Sequence, residues 1–133
     1  MAGETDLNTL LSTLQPVAEE TEYRFCSVSP ERFSQLPVRS VKGFFREAEG
    51  VTVIISAQDA QIYGIPGEGP FACITCHVHS SLEAVGLTAA MSAALTGQGI
   101  SANVVAGFYH DHVFVASADA QRAVQCLSQL SQP

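Results

Sequence analysis

The stretch that decides the fold runs from Phe71 to Gly97 and reads FACITCHVHSSLEAVGLTAAMSAALTG. Its first part, Phe71–His79, has the apolar and β-branched residues that predict a strand. Ser80 is then placed to cap a long helix, which we expect to run from about Leu82 to Gly97. A strand that leads into a helix of this length predicts the first half of a split βαβ unit.

The residues that follow complete the pattern. They predict a strand over Ile100–Tyr109, a tight turn at His110-Asp111, a return strand over His112–Ser117 and a helix over Ala118–Leu130. The inner face of this last helix is predicted to carry Ala120, Ala123, Val124, Leu127 and Leu130. The order β-α-β-β-α is the ferredoxin-like pattern without its final strand, so we expect an α+β fold.

The residues before Phe71 repeat much of this order in reduced form. They predict a helix on the leucine spacing of residues 7–14, strands over Glu22–Val28, Val41–Ala48 and Val51–Ser56, and helical turns over Ala57–Tyr63. Gly64–Pro70 is the best candidate for a boundary. We therefore divide the chain into units of residues 1–66 and 67–133. The strand Phe71–His79 closes the first unit, opens the second, or does both.

The chain has few charges for its apolar content. Of its 133 residues, 47% are hydrophobic and 14% are charged, and the mean hydropathy is +0.20. The helix from Leu82 concentrates this imbalance: Leu82, Val85, Ala89 and Ala93 form one apolar stripe, and Leu87, Ala90, Met91 and Ala94 form another. A helix that is apolar nearly all round is expected to be buried nearly all round. We expect one side to cover its own sheet and the other to cover the neighbouring unit or a second chain, which predicts a homodimer; exposed alanines are the simpler alternative.

Charge and composition narrow the class of partner. With 6 Lys and Arg against 13 Asp and Glu, the formal net charge is −7, so nucleic acid and anionic membranes are not expected partners. No segment has the pattern of a signal peptide or a membrane anchor. The four cysteines are sparse for a disulfide scaffold, so reduced thiols and a cytoplasmic location are expected.

Three stretches carry a resemblance to a known family. They are FREAEG at 45–50, HVHSSLEAVG at 77–86 and GFYHDHVFV at 107–115, and with them the chain resembles small bacterial ACT domain-containing proteins. That family is similar to the ACT-repeat fold of the cellular arginine sensor and of the regulatory part of aspartate kinase. The resemblance implies two ferredoxin-like ACT units (βαββαβ) packed side by side with largely antiparallel sheets, assembly as a dimer, and regulatory binding of an amino acid or another small molecule without catalysis.

The topology predicts a ligand crease. In a split βαβ unit, the end of the first strand and the turn of the following hairpin lie at the same end of the sheet, so residues 79–81 and 110–112 are expected to converge. The helix N-terminus suits a carboxylate, and Asp111 suits an amino or guanidinium group. The resemblance matches Ser80, Ser81, Val85, Gly86 and Asp111 to the strand-to-helix crease of ACT domains. The full predicted ligand set is His79, Ser80, Ser81, Val85, Gly86, His110 and Asp111.

Each of these residues also has a purely structural interpretation. Ser80 or Ser81 is explained as a helix cap, and Asp111 as a turn former. Gly86 is expected in the helix interior, where it costs about 1 kcal/mol relative to alanine. Tight helix packing or a closely approaching ligand would each explain that cost.

Two sharper motifs compete with the ligand crease. The string Cys73–His77 matches a haem-attachment pattern, but in a strand Cys73 and Cys76 face opposite sides, so neither haem nor any other cofactor is expected. The histidines at 77, 79, 110 and 112 allow an alternative: a metal-binding protein or a metal-dependent hydrolase. A third hypothesis is a pure interaction subunit that docks through the helix from Leu82.

Overall fold

The computed structural model describes Gly3, residues 5–79 and residues 81–131. The elements are α1 (Leu7–Ser12), β1 (Pro16–Val28), α2 (Pro30–Gln35), β2 (Val41–Arg46), β3 (Val51–Ser56), α3 (Ala57–Ile62), β4 (Gly67–Cys76), α4 (Leu87–Gly97), β5 (Asn103–Ala106), β6 (Asp111–Ala116) and α5 (Ala120–Ser128). Short 3-10 turns lie at Val38–Ser40, Ser117–Asp119 and Gln129–Ser131. In the described part of the chain, no helix is both long enough and apolar enough to cross a bilayer.

The strands form one six-stranded sheet in the order β2-β3-β1-β4-β6-β5. The pairs β1–β3, β2–β3 and β5–β6 are antiparallel. Along the chain, β4 is the last strand of a complete β-α-β-β-α-β run and the first strand of the β-α-β-β-α run that follows. The strand therefore has both of the roles that the sequence left open, and the predicted α+β, ferredoxin-like class is confirmed.

Two compact units divide the chain, one made of residues 1–19 with 72–133 and the other of residues 20–71. Strands β1 and β4 contribute residues to both units. In the first unit, α1, α4 and α5 bury their apolar faces against β4 and β6. The fully buried side chains there include Leu10, Met91, Leu95 and Leu127.

The unit of residues 20–71 has a smaller core. Its buried side chains are Cys26, Leu36, Val51, Val53, Ile55, Ala60 and Ile65. Alternation explains the strand contribution, because Val53 and Ile55 lie two residues apart on one face of β3 and pair with Cys26 and Arg24 of β1. Helix α2 has no buried residue, so its helical conformation depends more on local signals than on packing.

Several strand boundaries differ from the prediction. Strand β1 begins at Pro16 rather than Glu22, since sheet neighbours override the weak strand propensity of the glutamates between them. Strand β4 spans Gly67–Cys76 rather than Phe71–His79. Gly67 belongs in the strand because a Cβ there would lie 2.5 Å from the Cys26 Sγ, so the close approach requires glycine.

The hairpin between β5 and β6 is also shifted. Strand β5 covers only Asn103–Ala106, and Asp111 is the first residue of β6, where it pairs with Ala106. The turn is therefore Gly107–His110, closed by the Gly107 N–H donating to the His110 carbonyl at 2.9 Å, and not His110-Asp111. A Cβ at Gly107 would lie 2.8 Å from that carbonyl oxygen, which explains why the turn begins at a glycine.

Helix α4 buries only one of its two apolar stripes. Leu87, Met91 and Leu95 are buried, whereas Ala89 and Ala93 are exposed. By contrast, the predicted inner face of α5 is confirmed, because Ala123 and Leu127 are fully buried in the same cluster as α4. In the single chain, the second side of α4 therefore remains accessible.

Candidate functional site

The predicted crease lies in the connection of residues 77–86 between β4 and α4. Ser81 organises a turn inside it: its Oγ accepts a hydrogen bond from the Glu83 N–H at 3.1 Å, and its carbonyl accepts one from the Ala84 N–H at 3.0 Å. The helix does not begin at Leu82 but at Leu87. The expectation that a serine caps this helix is wrong for Ser81, and Ser80 lies outside the described residues.

Gly86 is the N-cap of α4 and not a residue of the helix interior. Its φ of 102° is left-handed, a conformation that interrupts a helix and that glycine adopts without steric cost. A Cβ at this position would lie 3.2 Å from a methyl carbon of Leu7. The glycine is therefore explained by backbone conformation and by the approach of α1, which corrects the predicted helix interior.

Among the residues that the structure describes, no side chain caps the N-terminus of α4. The Gly86 carbonyl accepts the first intrahelical bond, from the Ala90 N–H at 2.9 Å. Since the first N–H groups of a helix have no intrahelical acceptor, those of the first turn of α4 remain directed out of the helix end. They give this end a partial positive charge, which favours an anionic group.

Asp111 lies beside this helix end and is nearly fully buried, with 5% of its surface exposed. It lines a small cavity of about 60 Å³ together with Ser81, Leu82, Ala84, Leu87, Thr88 and Ala106. Burial raises the pKa of the neighbouring Cys76 thiol to about 12, with a smaller contribution from the negative charge of Asp111. The cavity thus combines a helix N-terminus with a buried carboxyl group.

The histidines and aromatic residues form a separate cluster. The His77 and His110 rings lie 5.2 Å apart, and the His79 ring lies 5.3 Å from Tyr109 and 6.4 Å from Phe108. Phe108 and Tyr109 are each 62% exposed. The turn therefore approaches the connection of residues 77–86, as the topology predicted, through aromatic contacts.

These histidines do not assemble the alternative metal site. His112 contacts Thr75 on the neighbouring strand, with 3.0 Å between the ring Nδ1 and the hydroxyl oxygen. His77 Nδ1 lies 3.3 Å from the Gln15 carbonyl oxygen. Among the described residues, no three His, Cys, Asp or Glu side chains are placed to hold a metal ion. The metal hypothesis thus finds no support in this part of the chain.

The cysteines behave as small apolar side chains. All four are free and buried. Cys76 packs in one cluster with Ile74 and Val78, as the strand pattern predicted, and its Sγ lies 3.8 Å from the Met91 sulfur.

The predicted ligand residues fall into two groups. Ser81 and Asp111 line the small cavity together, and Gly86 begins the helix beside it. His79 and His110 belong to the aromatic cluster, and Val85 is 83% exposed. Leu87, Thr88 and Ala106 were not predicted as lining residues, because their place in the lining depends on where α4 and β5 begin and end.

A cavity outside the crease was also missed. It has about 430 Å³ and lies in the unit of residues 20–71, where its lining includes Phe33, Leu36, Val41 and Phe44. The Phe33 and Phe44 rings pack at 4.6 Å between centroids. Their aromatic side chains were the available signal, but 33 and 44 lie on different elements, and only the fold brings them together.

Comparison with known proteins connects this geometry to a family. A family model for the ACT domain matches residues 2–72, and a second ACT-domain model matches residues 68–129. The two matches overlap in β4, the strand that the two runs of elements share. No curated protein matches the chain.

Solved structures agree with the family models. The chain is similar to VC0802, a protein of unknown function from Vibrio cholerae called a possible transport protein, with 42% identity over 95% of this chain and 96% of that chain and a TM-score of 0.83. It shares its fold with the regulatory subunit of aspartate kinase from Thermus thermophilus (14% identity, 89% and 97% covered, TM-score 0.69) and with Atu0741 from Agrobacterium tumefaciens (18%, 84% and 84%, 0.64). The chain therefore belongs to the ACT-domain family and contains two ACT domains in tandem.

Proposed function

We propose that this protein is a non-catalytic regulatory module that binds an amino acid in the crease between residues 77–86 and Asp111. ACT domains are regulatory and typically bind small molecules, which supports the coarse assignment. Amino-acid binding in this crease is supported by one observation: an uncapped helix N-terminus and a buried carboxyl group meet at one cavity.

These two groups match the two charges of an amino acid. The α-carboxylate accepts hydrogen bonds from the first N–H groups of α4, where the helix dipole favours a negative charge. The α-ammonium group donates to Asp111, whose burial strengthens a charge-assisted bond. Ser81, at the same cavity, offers a hydroxyl oxygen.

The ligand side chain requires more room than the small cavity provides. At about 60 Å³, the cavity suits the charged head of an amino acid. We assign the side chain to the exposed residues next to the lining in the chain, which are Val85 of the connection and Phe108 and Tyr109 of the turn. His79 and His110 then orient these aromatic side chains, so the proposed site includes the six candidate residues that lie within the described part of the chain.

The proposal includes a homodimer, which rests on the exposed side of α4. On α4, Ala89 and Ala93 form an exposed stripe, and in the connection before the helix Leu82, which is 68% exposed, and Val85 are exposed as well. Covering this stripe with the same stripe of a second copy would remove apolar surface from water and favour association. We further propose the units 1–66 and 67–133 and a cytoplasmic location, both from sequence alone.

A thermal-shift screen against the amino acids at millimolar concentration tests the ligand assignment. We expect one of them to raise the Tm in a concentration-dependent way. Asp111→Asn removes a charged hydrogen bond worth about 1.5–3 kcal/mol and is expected to weaken binding about tenfold or more. Asp119→Asn is the matched control, because Asp119 pairs with Arg122 on the surface at 3.0 Å.

Two results would contradict the proposal. One is the absence of stabilisation by every amino acid, and the other is equal affinity of the two asparagine variants. The dimer has its own test in light scattering, where Ala89→Glu is expected to yield monomers by placing a charge in the contact. A monomeric wild-type chain would remove the dimer and leave the ligand proposal standing.

A further inference from the structure

A second polar cavity, of about 400 Å³, lies in the unit of residues 20–71 and has no part in the proposed crease. The residues of its lining that matter here are Tyr23, Arg39, Ser40, Lys42, Ser56 and Asp59. They come from the middle of β1, the start of β2 and the junction of β3 with α3. In this unit, the position equivalent to the crease is Ser29, where β1 leads into α2, and Ser29 is not in the lining.

The distribution of cations singles out this cavity. The chain has six Lys and Arg residues against 13 acidic ones. One cation, Arg122, belongs to the unit that contains the crease, and the rest lie between residues 20 and 71: Arg24, Arg32, Arg39, Lys42 and Arg46. Two of these line the same cavity. A local pair of positive charges in an acidic protein provides an attraction for anions that the net charge conceals.

The backbone presents both cations at the entry to β2. Arg39 lies in the 3-10 turn Val38–Ser40 and makes no hydrogen bond or ion pair with described residues. Lys42 lies at the irregularity between Val41 and Gly43, where the register of β2 against β3 shifts. Such bulges redirect a side chain relative to the regular pleat. The Lys42 Nζ lies 5.9 Å from the centre of the Tyr23 ring, so its charge is held over this cavity wall.

Neutral donors complete the lining. The Ser56 Oγ accepts a hydrogen bond from the Asp59 N–H at 3.0 Å, which leaves its own hydroxyl hydrogen able to donate. Ser40 supplies a second hydroxyl. Among the described residues of the lining, Asp59 is the one with an acidic side chain. Its charge opposes an anion, but the two cations outweigh it.

We propose that this cavity binds a small dianion, a phosphate group or a dicarboxylate, through Arg39 and Lys42. The planar guanidinium of Arg39 suits either ligand because it pairs with two oxygens at once. Lys42 supplies a point charge, and the two serine hydroxyls donate to the remaining oxygens. The chain then carries two ligand sites of different chemistry, one in each unit.

Calorimetric titration with inorganic phosphate and, separately, with succinate at constant ionic strength tests the proposal and distinguishes the two sources. We expect one of the two to bind. Arg39→Gln and Lys42→Gln are each expected to weaken binding about tenfold. Arg46→Gln is the control and is expected to leave binding unchanged, because Arg46 lies on β2, as Lys42 does, but outside the lining. Arg39→Lys, which keeps the charge, is expected to fall between wild type and Arg39→Gln.

Asp59→Asn gives a signature of opposite sign. Removing one negative charge at about 6 Å from a dianion is expected to tighten binding about tenfold in a water-like dielectric. Titration with chloride alone at equal ionic strength is the control for general screening. The proposal is overturned if neither dianion binds at millimolar concentration, if chloride reproduces the signal, or if Arg39→Gln and Arg46→Gln bind equally well.

Discussion

The chain makes the same connection twice, from a central strand to the following helix, and the two versions differ. Between β1 and α2 only Ser29 intervenes, and its Oγ accepts a hydrogen bond from the Arg32 N–H at 3.0 Å. Between β4 and α4 lie residues 77–86, and the helix begins at a glycine with no side-chain cap. The first turn of α2 is capped by the serine that precedes it, and among the described residues no side chain caps the first turn of α4.

The difference lies in what stabilises each helix. A serine cap stabilises a helix by about 1 kcal/mol, and α2, without a buried residue, depends on it. Helix α4 does without a cap because Leu87, Met91 and Leu95 are buried, at about 1.5–3 kcal/mol for each side chain. Strong packing therefore allows the end of α4 to remain without a cap, and the proposed crease uses this end. Four predictions test this comparison.

The largest expected effect concerns the cysteines that precede the two connections. The folded-state pKa of Cys76 is about 12, above the ordinary 9.0, so its contribution to stability is complete below pH 9 and is lost as the pH rises to about 12. The free energy of unfolding falls by about 1.4 kcal/mol per pH unit, or about 4 kcal/mol in all. Denaturant unfolding on both sides of pH 9 measures this slope.

Two variants assign the alkaline slope to its source. Cys76→Ala is expected to flatten it, at the cost of a small cavity at neutral pH. Cys26→Ala is the control from the other connection: burial raises the pKa of Cys26 as well, but the positive charge of Arg24 acts in the opposite direction. A slope unchanged in Cys76→Ala would show that this thiol is not the group that titrates.

The next effect separates the packing of the two helices. Met91→Ala is expected to destabilise the protein by about 3 kcal/mol, because Met91 is a fully buried residue of α4 and contacts Cys76. Phe33→Ala in α2 is expected to cost less than half as much, since Phe33 is only partly buried. Equal losses in urea unfolding would contradict the idea that α4 is anchored by its core and α2 by its cap.

The conformation of Gly86 is the third test. Gly86→Ala is expected to cost about 2 kcal/mol, because alanine is strained at a φ of 102° and its Cβ would meet Leu7 at 3.2 Å. Gly97→Ala in the same helix has open space around the new methyl group and is expected to stabilise slightly. Thermal unfolding compares the two. Combining Leu7→Ala with Gly86→Ala is expected to remove the part of the destabilisation that comes from the clash with Leu7. If Gly86→Ala and Gly97→Ala both stabilise or both destabilise the protein, this account is wrong.

Much of this architecture was predictable from the sequence, and the reason is periodicity. The apolar run after the Glu49-Gly50 turn predicted β3, and the spacing of Ala123 and Leu127 predicted the inner face of α5, since buried positions recur along both elements. Gly67 was assigned to a loop, because the sequence does not distinguish a loop glycine from a strand glycine that is required by the close approach of a neighbouring side chain, here Cys26. The long connection was misinterpreted because its apolar residues continue a helical spacing through Gly86.

The candidate site was predictable only in its location. Topology brought Ser81 and Asp111 to one end of the sheet, as expected from the order of the strands. That Asp111 lies buried in β6, and that the helix end beside it is uncapped, depends on boundaries that shift by a few residues. Such shifts decide which side chains share a cavity, and a single sequence does not encode them in its periodicity.

The smallest effect tests the caps themselves. Ser29→Ala is expected to destabilise the protein by about 1 kcal/mol, because it removes the acceptor of the Arg32 N–H from a helix with no buried residue. Ser81→Ala is expected to cost less than about 0.5 kcal/mol, because Ser81 supports a turn within the connection and not the end of α4. If the crease binds an amino acid, Ser81→Ala weakens that binding while stability barely changes, whereas Ser29→Ala does the reverse. Urea unfolding and ligand titration of the same two variants separate these outcomes, and a Ser81→Ala variant as unstable as Ser29→Ala would mean that both connections are closed by their own serines.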